Sequence, residues 1–186
     1  MPFSRHLQKV SNYLFQSMEG ELPLGVYAIL DGARDEVIYQ KLVNSDIENM
    51  CLFRGEKAIE LATVAPYLIS LEREDSLTQW LLNNGWGKSW GIFLHSSAPL
   101  KELHRHFRRF LMVYDPEGKP LYFRYYDPRV LRVYLPTCNA DELRTVFGPV
   151  SAYVVEGDTP GTVLRFTYAG DTLGKEEVTL PPNQPA

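Results

Sequence analysis

Four short apolar runs, residues 26–30, 50–53, 67–71 and 90–94, are spaced along the first half of the chain. Each has strand length and little polar alternation, the pattern of strands covered on both faces. Helical periodicity fills the intervals. Leu77, Trp80 and Leu81 make one apolar stripe; Ser76 with Gln79 predicts a capping box ahead of it, and Gly85 a stop behind it. Leu100, Leu103, Phe107, Phe110 and Leu111 make another. Strands alternating with helices about every 20 residues predict an α/β core.

After residue 110 the pattern changes. Leu111-Met-Val-Tyr114 and Leu121-Tyr-Phe-Arg-Tyr-Tyr126 flank Asp115-Pro-Glu-Gly-Lys119, whose turn chemistry predicts an antiparallel hairpin. Asp127 reads as a helix N-cap with Pro128 at the first helical position; Val130, Leu131, Tyr134 and Leu135 supply the stripe and Pro136 ends it. Asn139 with Glu142 opens a further helix, closed by Gly148-Pro149. Residues 151–155 and 163–168 predict a closing hairpin around a Gly/Pro turn. At the other end, Leu7, Val10, Tyr13 and Leu14 recur at helical spacing before Gly20-Glu-Leu-Pro23. The expected organisation is an N-terminal helix and linker treated as an appendage (1–24), a core (25–149), a C-terminal β elaboration (150–180) and a disordered tail (181–186). The expected fold class is α/β (mixed α+β): a central mixed sheet with flanking helices, followed by a C-terminal antiparallel hairpin.

A chain of 186 residues, 45% hydrophobic and 12% aromatic, suits one domain with a sizeable core. It excludes collagen-like, disordered and coiled-coil classes. Nineteen basic against 23 acidic residues leave a net charge of −4, so nothing global favours nucleic acid. Cys51 and Cys138 lie far apart beside apolar residues, which predicts free thiols in a reducing compartment. No window approaches the roughly 18 consecutive apolar residues of a membrane span, and residues 1–6 are not a basic stub leading into one. The expectation is a cytoplasmic protein without a membrane partner.

The search for chemistry is mostly negative. Gly87-Lys88-Ser89 has the end of a phosphate-loop motif, but Leu82 stands where its first glycine belongs, and a helix precedes where a strand should. Asp31-Gly32 ends the first strand without a dinucleotide fingerprint and reads as a turn that caps the next helix. Of the histidines His6, His95, His104 and His106, the last two are two apart on a predicted helix and point in different directions, so they cannot clamp a metal. Glu117-Gly-Lys119 falls in a hairpin tip. No catalytic, cofactor-binding or metal-binding residue is predicted. What remains is a basic helix face, Lys101, Arg105 and Arg108, opposite an apolar stripe, and an aromatic excess around Trp86, Trp90, Arg124 and Arg129. Such residue types dominate protein-binding surfaces. Trp86, Lys101, Arg105, Arg108, Arg124 and Arg129 are the candidate contacts. Asp31, Gly32, Trp90, Asp127 and Pro128 are assigned to structural motifs, with Arg124 expected to pair with Asp31 or Asp127.

Leu30-Asp-Gly-Ala33, Ala65-Pro-Tyr-Leu68, Gly85-Trp-Gly-Lys-Ser-Trp-Gly91, Leu103 to Arg108-Arg-Phe110, and Phe123-Arg-Tyr-Tyr-Asp-Pro-Arg-Val-Leu131 occur in this order. Over about residues 26–147 the chain resembles the family called domain of unknown function 4123. The resemblance implies a non-enzymatic adaptor chaperone of bacterial type VI secretion. Its implied partners are a secreted effector toxin and the VgrG-type spike onto which that toxin is loaded, with no cofactor. Two other readings stay open beside it: a nucleic-acid-binding module using the basic helix 100–111, and a hydrolase with a cryptic site at Asp31, Asp127 and His95.

Overall fold

The computed structural model describes residues 5–16, 24–159 and 161–180; the linker expected at Gly20–Pro23 and the tail expected at 181–186 lie outside them. In chain order the first half holds α1 (Arg5–Phe15), β1 (Gly25–Asp31), α2 (Glu36–Val43), β2 (Asn49–Cys51), α3 (Glu56–Glu60), β3 (Pro66–Leu71), α4 (Ser76–Gly85) and β4 (Gly91–Ser96). The second half holds α5 (Leu100–Phe107), β5 (Met112–Tyr114), β6 (Pro120–Tyr122), α6 (Pro128–Tyr134), α7 (Ala140–Phe147), β7 (Ala152–Glu156), β8 (Thr162–Ala169) and β9 (Thr172–Thr179).

Seven strands form one sheet in the order β2-β3-β1-β4-β7-β8-β9, and β5 pairs with β6 as a separate ribbon. The mixed α/β class holds, but every pairing is antiparallel, so the sheet is not mixed in strand direction. The reason lies in β1. β3 and β4 each run antiparallel to β1 and are therefore parallel to one another. The β3–α4–β4 crossover is the βαβ unit that the spacing suggested, split by β1 inserted between its strands.

Successive side chains of β1 go to opposite faces. Tyr27 and Ile29 join a core with α5, α6 and α7. Val26, Ala28 and Leu30 join a second core with α1, α2 and α4. Cover on both faces explains the unbroken apolar run. It also changes the standing of the first helix: Val10 and Leu14 of α1 are fully buried in the second core, and His95 on β4 donates its Nε2–H to the Leu14 carbonyl at 2.8 Å. α1 is a layer of the fold, not an appendage.

The C-terminal hairpin appears as β7 and β8, but β7 pairs with β4, so it extends the central sheet. A third strand, β9, follows through the two-residue turn Gly170-Asp171, both at positive φ, the signature of a tight hairpin turn. Among the caps, Asp127 accepts the Arg129 N–H and Asn139 with Glu142 forms a full capping box. α4 is capped instead by Asp75, whose carboxylate accepts the Leu77 N–H at 2.6 Å; Ser76 is already inside the first turn. Truncation of α1 supplies the check on its role: Leu14→Ala should cost about 2–5 kcal/mol in urea unfolding, the range for a collapsed core leucine. A change within about 0.5 kcal/mol would make α1 peripheral.

Candidate functional site

β1 ends at Asp31, with Pro66 opposite it on β3 and Gly91 opposite Leu30 on β4. Three of the sequence motifs therefore meet at one end of the sheet, and Arg124 brings a fourth to Asp31. The Asp31 N–H donates to the Trp90 carbonyl at 2.8 Å and the Gly32 N–H to the Ala65 carbonyl at 3.0 Å. A methyl group on Gly32 would stand 2.8 Å from that same Ala65 oxygen, so the close approach requires glycine. The Trp90 ring lies against Gly85, leaving no room for a Cβ there.

The buried Asp31 carboxylate accepts the Ala33 N–H at 3.1 Å and an ion pair from Arg124, 93 residues away. Of the two partners expected for Arg124, Asp31 is the one it takes. Arg129 grips Asp127 with its side chain at 2.6–3.2 Å. Burial pushes the Asp127 carboxyl up, but the Arg129 side-chain and backbone hydrogen bonds outweigh it and hold the group below its ordinary range. Hydrogen bonding to Asp31 raises the Arg124 guanidinium in turn.

Beside this cluster opens a cavity of about 500 Å³ whose lining includes Trp86, Gly87, Ser89, Arg129, Arg132 and Glu156. Gly87 and Ser89 both have positive φ, and the Ser89 N–H donates to Glu156 at 3.1 Å. The backbone of the Gly-Lys-Ser loop thus turns onto the protein's own carboxyl group from β7. Burial pushes Glu156 from its ordinary 4.5 up to about 7, against the opposing pull of the Ser89 and Gly87 amides and Arg132.

The sequence profile of the family described as domain of unknown function (DUF4123) matches residues 26–145. The chain belongs to this family. No curated protein and no solved structure gives a significant match. The DUF4123 segment runs from β1 into α7; α1 and β7–β9, which complete both core layers, lie outside it.

The other predicted residues are placed as follows. Lys101 and Arg105 are exposed on α5, and Arg108 is half-buried at its C-cap. His104 and His106 turn away from one another, donating Nε2–H to the carbonyls of Cys51 at 2.8 Å and Val146 at 2.9 Å. Trp86 is half-buried with its ring 5.8 Å from Phe93. Cys51 and Cys138 are free, partly buried thiols, each pushed up by burial. Among the described residues no cluster of His, Cys, Asp and Glu suits a metal, and no helix is long and apolar enough to cross a membrane. The DUF4123 fold does not assemble the Asp31–Asp127–His95 constellation: His95 faces Val26, at the opposite end of β1 from Asp31, roughly 17 Å along the strand. The sequence reading missed Glu156 and a basic groove around Arg54, Lys57 and Tyr122, of which only Arg108 was among the candidate contacts.

Arg124→Ala should destabilise the protein by about 2–3 kcal/mol, because it strands the buried Asp31 carboxylate, whereas Lys101→Ala should stay within about 0.5 kcal/mol. Chemical unfolding of both variants is the check. For Glu156, the folded state keeps a proton between pH 4.5 and about 7 that the unfolded chain has lost. Its contribution to stability is complete below that window and is lost as pH rises through it. Urea midpoints from about pH 5 to about pH 8 should show a decline that Glu156→Gln removes; parallel profiles for the two proteins would refute the shift.

Proposed function

We propose that this DUF4123 protein is a non-enzymatic adaptor that binds a type VI secretion effector in the cytoplasm and assists its loading onto a VgrG-type spike. The carrying observation is family membership across residues 26–145, the stretch whose motifs imply the adaptor role. The arrangement at the motif cluster agrees with it. Asp31 and Asp127 direct their oxygens at arginines and backbone amides, a pattern suited to holding the end of a sheet. The action is reversible binding on two surfaces. One candidate contact set is Lys101 and Arg105, exposed on α5, with the half-buried Arg108 at its C-cap. The other is the cavity lining, with Trp86 and Arg129, together with Arg124 on Asp31. Contacts that must later release call for modest interfaces.

A tagged pull-down from the source bacterium with secretion genes expressed tests the reading. Recovery of one large toxin and a spike protein is the expected result. Recovery of neither, with the bait folded and both present in the lysate, would reduce the family likeness to fold alone. Within a positive pull-down, Lys101→Glu with Arg105→Glu should weaken capture of one partner by about tenfold and leave the melting temperature unchanged, since both side chains are exposed.

A further inference from the structure

Between α3, the C-terminal end of α5 and the β5–β6 ribbon lies a groove of about 390 Å³. Its apolar part is formed by Leu52, fully buried, with Phe53, Leu111, Met112 and Tyr122. Strand register places Met112 opposite Tyr122 and Tyr114 opposite Pro120, so all four share one face of the ribbon. Tyr114 is 70% exposed and Tyr122 46%. The apolar strip therefore continues from the groove onto uncovered surface. A two-stranded ribbon of this length has little stability of its own.

Four cations surround the groove: Arg54, Lys57, Arg108 and Arg109. Among the described residues none of them makes an ion pair; the ion pairs that do form take Arg124, Arg129, Arg132, Arg144 and Lys175. Lys57 donates instead to the Tyr122 hydroxyl at 2.8 Å and lies 5.2 Å from the ring centre. The Arg108 Nε is buried with no hydrogen-bond partner. In a chain with 23 acids and 19 bases, four neighbouring cations around an apolar floor pair with no carboxylate, although Glu56 and Glu60 lie on the same helix as Lys57.

We propose that this groove docks an acidic segment of a partner protein that inserts a bulky apolar side chain between Leu52, Leu111 and Met112 and sets its carboxylates against Arg54, Lys57, Arg108 and Arg109. The floor mixes Phe53 and Tyr122 with Leu52, Leu111 and Met112 and closes into one groove, a shape that takes a bulky apolar side chain; a nucleic acid calls instead for successive stacking faces along an extended basic track. That the partner is an effector or a spike rests on the adaptor reading; the chemistry of the groove does not.

The test uses the full chain and three short fluorescent synthetic peptides, read by anisotropy. One is acidic with leucine and phenylalanine at helical spacing, one has lysine for each acid, and one has serine for each apolar residue. The acidic amphipathic peptide should bind about tenfold or more tightly than either control, and Arg54→Glu with Arg109→Glu should remove that advantage. If the reversed variant does not fold, Arg54→Gln with Arg109→Gln should show a smaller loss in the same direction. Equal binding of the lysine peptide, equal binding by the variants, or displacement of the acidic peptide by duplex DNA overturns the proposal. The same variants in the pull-down separate the two readings. Undiminished capture of effector and spike overturns the groove as their dock and leaves the adaptor standing. A wild-type protein that binds the acidic peptide but captures neither supports the groove and refutes the adaptor.

Discussion

Asp31 is a fully buried carboxylate at the end of the central strand, and a carboxylate out of water is costly unless donors meet it. The nearest donor, the Ala33 amide, is local. The decisive one, Arg124, arrives from a segment that follows the ribbon. Meeting that demand fixes more than one side chain. Tyr125 and Tyr126, next in sequence, are carried into the core, where the Tyr125 hydroxyl donates to the Phe107 carbonyl at 2.9 Å. Asp127 then starts α6 at a set position and direction. One electrostatic requirement thus docks the α5–α6 layer against the end of the sheet.

The sheet itself works because β1 is apolar on both faces and inserted between two parallel neighbours. Its cover comes from distant parts of the chain. The layer containing α2 and α4 is completed by Val10 and Leu14 from one end and by Val154, Val163 and Leu180 from the other. These residues lie outside the DUF4123 match. The recognisable segment and the folding unit are therefore different objects: the first holds the motifs, and the second includes the residues that keep water away from them.

What was legible in the sequence follows the range of each interaction. Local devices could be read: the Asn139–Glu142 box, the Asp127-Pro128 start and the Asp115 turn all close within a few residues. Ser76 was misread because Asp75, one position earlier, offers an equally good capping oxygen. Strand β9 escaped because Lys175, Glu176 and Glu177 give it the polar pattern of an exposed edge, which charges protect from unwanted pairing. The antiparallel insertion of β1 could not be read, since helix spacing is the same whether or not a strand occupies the gap. Nor could the Ser89–Glu156 contact, whose partners are 67 residues apart, or the groove, assembled from short elements with no periodicity to reveal them.

The two charged regions of the molecule obey opposite rules, and that contrast bears on function. At the end of β1 every arginine that touches the motif carboxylates has its charge answered within the chain, which is what a structural node requires. At the groove the cations gather instead beside apolar surface. Their mutual repulsion is a cost there, and Arg54 indeed adds to burial in lowering the Arg108 guanidinium. A fold under no demand but stability would pair such cations with some of its excess carboxylates or leave the ribbon polar. An arrangement that does neither has its energetic complement outside the chain, in a surface that brings both negative charge and apolar area.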